Sequence, residues 1–323
     1  RGTAALALRA ASGHASGMQP ETLTRDPADA ARLEAMAEQL AASGDYRVLR
    51  RISPRAPVTP PEGVPVRQGI VLDLETTGLD PAQDEIIEFA MLPFTYGLDG
   101  TLYSVGEPFN RLRQPSKPIP PAITRLTGLT DAMVAGQVLD PAEVRRFAEP
   151  AALVIAHNAG FDRRFAERFS DIFAIKPWAC SLTQVDWKAE GFEGSKLGYL
   201  AMKLGLFFEG HRAHHDCQAT LEILARPLPA SGIPALARLL ETARRPSFRL
   251  WAEGAPFEVK DRLKARGYRW NGDNNGQPRA WWIDLDETAL EAEQAFLEAE
   301  VYGQTPRVPV KRLTALDRFS ERG

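Results

Sequence analysis

The chain has 323 residues, is 44% hydrophobic and 25% charged, and carries a formal net charge of -3. These totals describe one good-sized globular domain plus something smaller. Two cysteines, Cys180 and Cys217, exclude a disulfide scaffold and point to a reducing compartment, the cytoplasm. No apolar run is long enough to span a bilayer. Nothing in the net charge announces a nucleic-acid binder, so any such contact must be local or metal-bridged.

Residues 1–24 are rich in Ala, Gly, Arg and Ser and carry no acid before Glu21. They superficially resemble a transit peptide, but disorder is expected, with Met18 as the natural start. Asp26 and Pro27 open a helix running to Leu40, with Leu33, Met36, Ala37 and Leu40 as its apolar stripe. Tyr46 to Ile52 alternates like a short strand and completes an N-terminal extension over 25–52. Pro54, Pro57, Pro60, Pro61 and Pro65 then predict a stiff, extended linker over 53–67.

From Gly69 the pattern changes. Strands are predicted over 69–74, Ile86–Thr95 and Leu102–Leu112, the last two joined through the Gly97–Gly100 turn. A short helix from Ala122 stops at Gly128, and Thr130 and Asp131 offer the cap of the next. Pro141–Phe147 reads as a helix and Ala151–Ala156 as a buried strand. A turn over 157–160 leads into a helix at Phe161–Phe169. Further helices are expected near Lys196–Leu204 and from about His211 to Ala225. This order is a mixed α/β layered sheet over 68–228. A connecting helix lies within 229–246. A small α+β module over 247–303 follows, with strands at Phe248–Trp251 and Trp281–Ile283 and helices at Pro256–Arg266 and Asp286–Tyr302. Residues 304–323 are expected to be a mobile tail.

Four acids stand at telling places. Asp73 and Glu75 end an apolar strand two residues apart, so they share a face. Their mutual repulsion and desolvation would be relieved by a bivalent cation. Taken alone, the pair equally describes a strand end dipping into solvent. Asp162 and Asp216 each lie near a helix start, where the dipole favours an acid in any case.

Taken in order, Asp73-Leu-Glu75-Thr-Thr-Gly-Leu79, His157-Asn-Ala-Gly-Phe-Asp162 and His211-Arg-Ala-His-His-Asp216 resemble the three motifs of the DEDDh exonuclease family. That family includes the proofreading epsilon subunit of bacterial DNA polymerase III. The resemblance covers about residues 68–228, including Ile123–Thr130 and Ser195–Ala201. It implies a ribonuclease-H-like α/β fold, a mixed sheet flanked by helices. It implies a metal-dependent 3′–5′ exonuclease that releases nucleoside monophosphates from 3′ ends of DNA. Carried over by motif, Asp73, Glu75, Asp162 and Asp216 hold two Mg2+ or Mn2+ ions, and His211 is the general base. Hard cations take carboxylate oxygens, and two of them can clamp the attacking and leaving oxygens of an in-line displacement. Thr76, Leu79, His157, Asn158 and Phe161 fall in the substrate neighbourhood. The implied partners are single-stranded DNA or a frayed 3′ end, and a DNA polymerase or repair complex. RNA trimming stays open, because the motifs do not read the ribose 2′-OH. So does a non-catalytic adaptor that keeps the fold as scaffold. One departure is that His214 and His215 stand directly before Asp216.

In the C-terminal module, Lys260 to Trp270 is basic with two aromatics, and Trp281 and Trp282 follow a polar loop. Two readings are open: a nucleic-acid grip, or a small core that needs its tryptophans to bury enough surface.

Overall fold

Ile70, Val71, Leu72 and Leu74 are all buried, because their strand is covered on both faces. The computed structural model describes residues 27–272, 276–304 and 308–322. Expectations for residues 1–24, the start at Met18 and the Asp26 cap lie outside them. The chain forms two units, one ending at Val48 and the other starting at Leu49. The described part of the first contains one helix, α1 (Pro27–Ala42).

The second unit begins with β1 (Arg50–Arg51), β2 (Val66–Thr76), β3 (Ile86–Gly97), β4 (Leu102–Val105) and β5 (Phe109–Leu112). Three helices follow, α2 (Pro121–Thr127), α3 (Asp131–Val134) and α4 (Pro141–Ala148). Next come β6 (Leu153–Ala156), α5 (Ala159–Phe169), α6 (Ile172–Ile175), β7 (Trp178–Cys180), α7 (Leu197–Lys203), β8 (Leu206–Phe207), α8 (Ala213–Leu224) and α9 (Ala235–Arg244). The main sheet runs β4-β3-β2-β6-β7, with β5 also on β3. β2 is antiparallel to β3 and parallel to β6, and β6 is parallel to β7. This is the mixed sheet flanked by helices that the resemblance implies.

Alternation along β2 divides the core. Ile70, Leu72 and Leu74 pack with Val144, Phe165 and Phe173 on one face. Val71 packs with Leu200, Cys217, Leu221 and Leu239 on the other, beneath α7, α8 and α9. Asp73 and Glu75 share Val71's face, which turns them toward α8. Gly128 ends α2 at φ 73, the left-handed region glycine tolerates, and the Thr130 hydroxyl accepts from Met133 N at the start of α3.

A second sheet, in order β10-β11-β9-β12, forms the C-terminal module: β9 (Ser247–Ala252), β10 (Arg269–Trp270), β11 (Trp281–Asp286) and β12 (Val310–Leu313). Helices α10 (Lys260–Ala265) and α11 (Glu287–Phe296) accompany it, and Leu250, Leu263, Tyr268 and Leu297 make its core.

Several expectations are corrected. The strand anticipated at Tyr46–Ile52 contracts to β1, which pairs with β8. The single strand anticipated at Leu102–Leu112 breaks at Gly106–Pro108 into β4 and β5. The proline-rich stretch lies on the sheet unit, with Val58 N donating to Tyr103 O and Arg55 paired to Glu222. The tail is not free either. β12 pairs with β9, and the chain beyond it docks on α5. There the fully buried Arg163 donates to the carbonyls of Ala315, Leu316 and Arg318. Arg318 in turn donates to Ala243 O, Arg245 O and Ser247 Oγ. A buried guanidinium must have its donors satisfied, and these carbonyls do so.

Candidate active site

The carboxylates meet at the C-terminal end of β2, beside the end of its parallel neighbour β6. In open α/β sheets this is where ligands collect. One oxygen each of Asp73, Glu75 and Asp216 lies within 4.8 Å of the others. Asp216 reaches the strand pair from the first turns of α8, where its Oδ2 accepts from Arg212 N at 3.1 Å. Asp162, buried in the first turn of α5, accepts from Leu74 N at 3.2 Å. It therefore backs the strand between the two acids without joining the three-oxygen group.

Like charges dominate this cluster, and its titration reflects that. Burial, then the charges of Asp162, Asp216 and Glu75, hold the Asp73 carboxyl well above its ordinary value. Burial, then Asp216 and Glu88, push Glu75 up to about 8 against the pull of Arg212. Burial likewise raises Asp216 to about 6, opposed by the Arg212 N–H and by His211. Carboxylates whose mutual repulsion outweighs their positive neighbours are stabilised by a hard divalent cation, and an all-oxygen donor set suits Mg2+ or Mn2+. Cys217 lies close but keeps its thiol turned to Val71 O, so the group contains no soft ligand.

Glu88 was not foreseen as part of this site. It sits on β3 directly across from Glu75 and is fully buried. Arg212 Nε and Nη2 donate to it at 3.1 Å each, Asn110 Nδ2 at 3.0 Å and Ala213 N at 3.1 Å. Burial alone would raise it, yet the bonds from His214, Arg212 and Asn110 bring it down to about 2. Glu88 thus supplies the acceptor that the N-terminus of α8 lacks locally. Replacing Glu88 with Ala is expected to cost about 2–4 kcal/mol. That is somewhat under the full range for a broken buried pair, because Arg212 can reach water. Chemical denaturation checks this; a cost under about 0.5 kcal/mol, the size of a surface substitution, would refute it.

The remaining residues divide. Thr76 is buried, its hydroxyl donating to Gly78 O at 2.5 Å. The Asp84 carboxylate accepts from Thr77 Oγ1 and Asp80 N and closes the turn, leaving Leu79 81% exposed. Asn158 is exposed at φ 87, opening α5. Phe161 is half-buried against Phe165, with ring centroids 5.0 Å apart. His157 departs from expectation: its Nε2 donates to Ser195 O and its Nδ1 accepts from Ser181 Oγ, so neither nitrogen is left for substrate. Burial holds it neutral, at about 4. Of the three histidines before Asp216, His214 Nδ1 faces Glu88 and Asn110. His215 Nδ1 bonds Glu209 O. His211 is exposed, takes φ 62, and acts electrostatically on Asp216.

A helix-flanked mixed sheet with carboxylates converging at one strand end defines a nuclease. The chain belongs to the Exonuclease family (RNase_T), whose model matches residues 70–224, and with it to the relatives of the DNA polymerase III epsilon subunit. It is 30% identical over 166 residues to the DNA polymerase III subunit epsilon of Aquifex aeolicus, covering 49% of this chain and 79% of that protein. It is 36% identical over 170 residues to a DNA polymerase III subunit epsilon-like protein of Rhodobacter capsulatus, covering 50% of this chain but only 24% of that one. Among solved structures it is similar to E. coli Exonuclease I in complex with a dA16 oligonucleotide, at 16% identity and a TM-score of 0.46. That match covers 70% of this chain and 66% of that one.

Proposed function

We propose that this chain is a divalent-metal-dependent 3′–5′ exonuclease of the DEDDh type, acting on single-stranded DNA or frayed 3′ ends. The observation that carries the reading is the convergence of the half-buried Asp73, Glu75 and Asp216, with the buried Asp162 behind them. Asp73, Glu75, Asp162 and Asp216 would hold two Mg2+ or Mn2+ ions, which when bound supply Lewis-acid stabilisation of charge on the phosphoryl oxygens. His211, on the exposed turn before α8, takes the proton from the attacking water. Leu79 stands free to wedge the terminal base, and the Thr76–Leu79 turn offers backbone groups to the terminal nucleotide. A replication or repair complex in a reducing cytoplasm fits the two buried free thiols and the family's polymerase subunits. Among the described residues, no helix is long and apolar enough to cross a membrane.

The test is digestion of 5′-labelled DNA and RNA oligonucleotides with Mg2+ or Mn2+, and with EDTA. Stepwise shortening from the 3′ end of DNA, abolished by EDTA, is expected. Shortening only of RNA would reassign the substrate, and no shortening under any metal would leave the adaptor reading.

A further inference from the structure

The tryptophans of the C-terminal module part company in the structure. Trp251 is buried, Trp281 is half-buried against the module's core, and Trp282 is half-buried against Trp251 beneath Arg249, so packing accounts for all three. Trp270 is different. It stands on β10, the edge strand, with its indole 54% exposed and set edge-on to Trp281 at 5.5 Å. Phe257, just before α10, is 73% exposed. Leaving two large aromatic faces in water contributes nothing to a small core.

The module's cations divide in the same way. Arg249, Arg262 and Arg266 are held by Asp284, Glu300 and Glu293. Arg249 and Arg266 lie over the Trp282 and Phe296 rings as well, whereas Lys260, Lys264 and Arg269 lie over rings only. Lys260 Nζ is 3.8 Å from the Phe257 centroid and Lys264 Nζ 5.9 Å from that of Trp281. The Arg269 guanidinium is 5.3 Å from that of Trp282. Among the described residues none of these three is paired with a carboxylate. Lys260 and Lys264 are one helical turn apart and share a face. Lys264 lies over Trp281, which Trp270 meets edge-on, so Phe257, Lys260, Lys264 and Trp270 follow one rim of the module, and Arg269 lies on the opposite face of the edge strand. These three cations without a carboxylate partner outnumber Glu258 and Asp261 beside them and give the edge a locally positive character in a chain of net charge -3.

We propose that this rim is a second binding site for single-stranded nucleic acid, separate from the carboxylate cluster. Bases stack on Trp270 and Phe257, and phosphates pair with Lys260, Lys264 and Arg269. An acidic peptide or an anionic membrane would use the charge but leave both aromatic faces idle; a nucleic-acid strand uses both. The choice of occupant rests on the nuclease reading. The site holds the strand away from the cleavage point, so it acts on long substrates and not on those that only fill the carboxylate cleft.

The test uses the full chain in EDTA, with affinity for a long and a short labelled oligo-dT read by fluorescence anisotropy. Trp270→Ala is expected to weaken the long strand about 5- to 100-fold. The triple variant Lys260→Glu, Lys264→Glu, Arg269→Glu should lower the log–log salt slope by about 2, since each lost phosphate contact on a single strand removes about 0.7. Trp270→Phe, which keeps a stacking face, should restore most of the affinity. Short-strand binding, and its digestion once metal is returned, should match the wild type. Unchanged long-strand affinity in both variants, or equal weakening toward long and short strands, overturns the proposal. Length-dependent binding through the rim without any metal-dependent digestion would overturn the nuclease reading and leave the rim standing.

Discussion

Replacing Asp73 or Asp162 with Asn is expected to abolish measurable digestion while making the metal-free protein more stable. Each substitution would remove an anionic ligand to the cations, and each carboxylate also repels its neighbours in the apo protein. The sign of the pH dependence follows. Glu75 titrates at about 8 in the folded chain against an ordinary 4.5. Between those values the native protein keeps a proton that the unfolded chain has lost, so apo stability falls as pH rises from about 4.5 to about 8. Asp216, raised to about 6, adds a decline from 3.8 to about 6. Glu88, facing Glu75, works the other way. Its contribution is present above about 4.5 and lost as pH falls toward about 2. Divalent cations compete with the bound protons, so Mg2+ should raise the melting temperature more at high pH than at low pH. Asp73→Asn should flatten both the decline and the Mg2+ effect. Thermal melts across pH, with and without Mg2+, read all of this. Near-wild-type digestion by either Asn variant with metal binding unchanged would remove the two-metal assignment. An apo stability that climbs from pH 5 to pH 8 would remove the electrostatic account.

The second large effect belongs to the histidines. His211→Ala is expected to lower turnover by roughly 10²–10⁴ while metal and substrate still bind. His214→Ala and His215→Ala should cost far less. His214 Nδ1 is turned inward to Glu88 and Asn110, and His215 Nδ1 is tied to Glu209 O, so in each one ring nitrogen is already engaged. Because His211 holds φ 62, a β-carbon there already carries strain, and Ala substitution risks moving the turn. His211→Asn is the cleaner variant, since Asn tolerates the left-handed region and cannot act as a base. It should show the same loss, with metal and substrate binding retained. If His214→Ala is crippled and His211→Asn runs normally, the assignment of the third motif must shift.

The convergence of Asp73 and Glu75 was legible in the sequence because a strand's side-chain period is two. That rule is local and needs nothing beyond the backbone. The same holds for the helix starts that carry Asp162 and Asp216, for the Gly128 stop and for the Thr130 cap, each decided within a turn or two of chain. Their joint meaning came from the ordered motifs and the family they resemble. What the sequence left open lies between residues far apart. Glu88 reads as one more acid on a strand until the β2–β3 register sets it against Glu75 and Arg212 arrives from 124 residues away. His157 reads only as part of the substrate neighbourhood until Ser195 O, 38 residues on, takes its Nε2. The charged, proline-containing tail reads as mobile by composition, because its anchor is the buried Arg163, 152 residues earlier. Whether each tryptophan is core or surface was likewise undecided, since the local pattern of Trp270 and Trp281-Trp282 is the same for both. Packing placed Trp270 at the sheet edge and Trp251 inside. Covalent geometry determines which side chains point together along one element. Only the tertiary fold determines which distant group satisfies or opposes them, because burial and desolvation exist only once the elements have met.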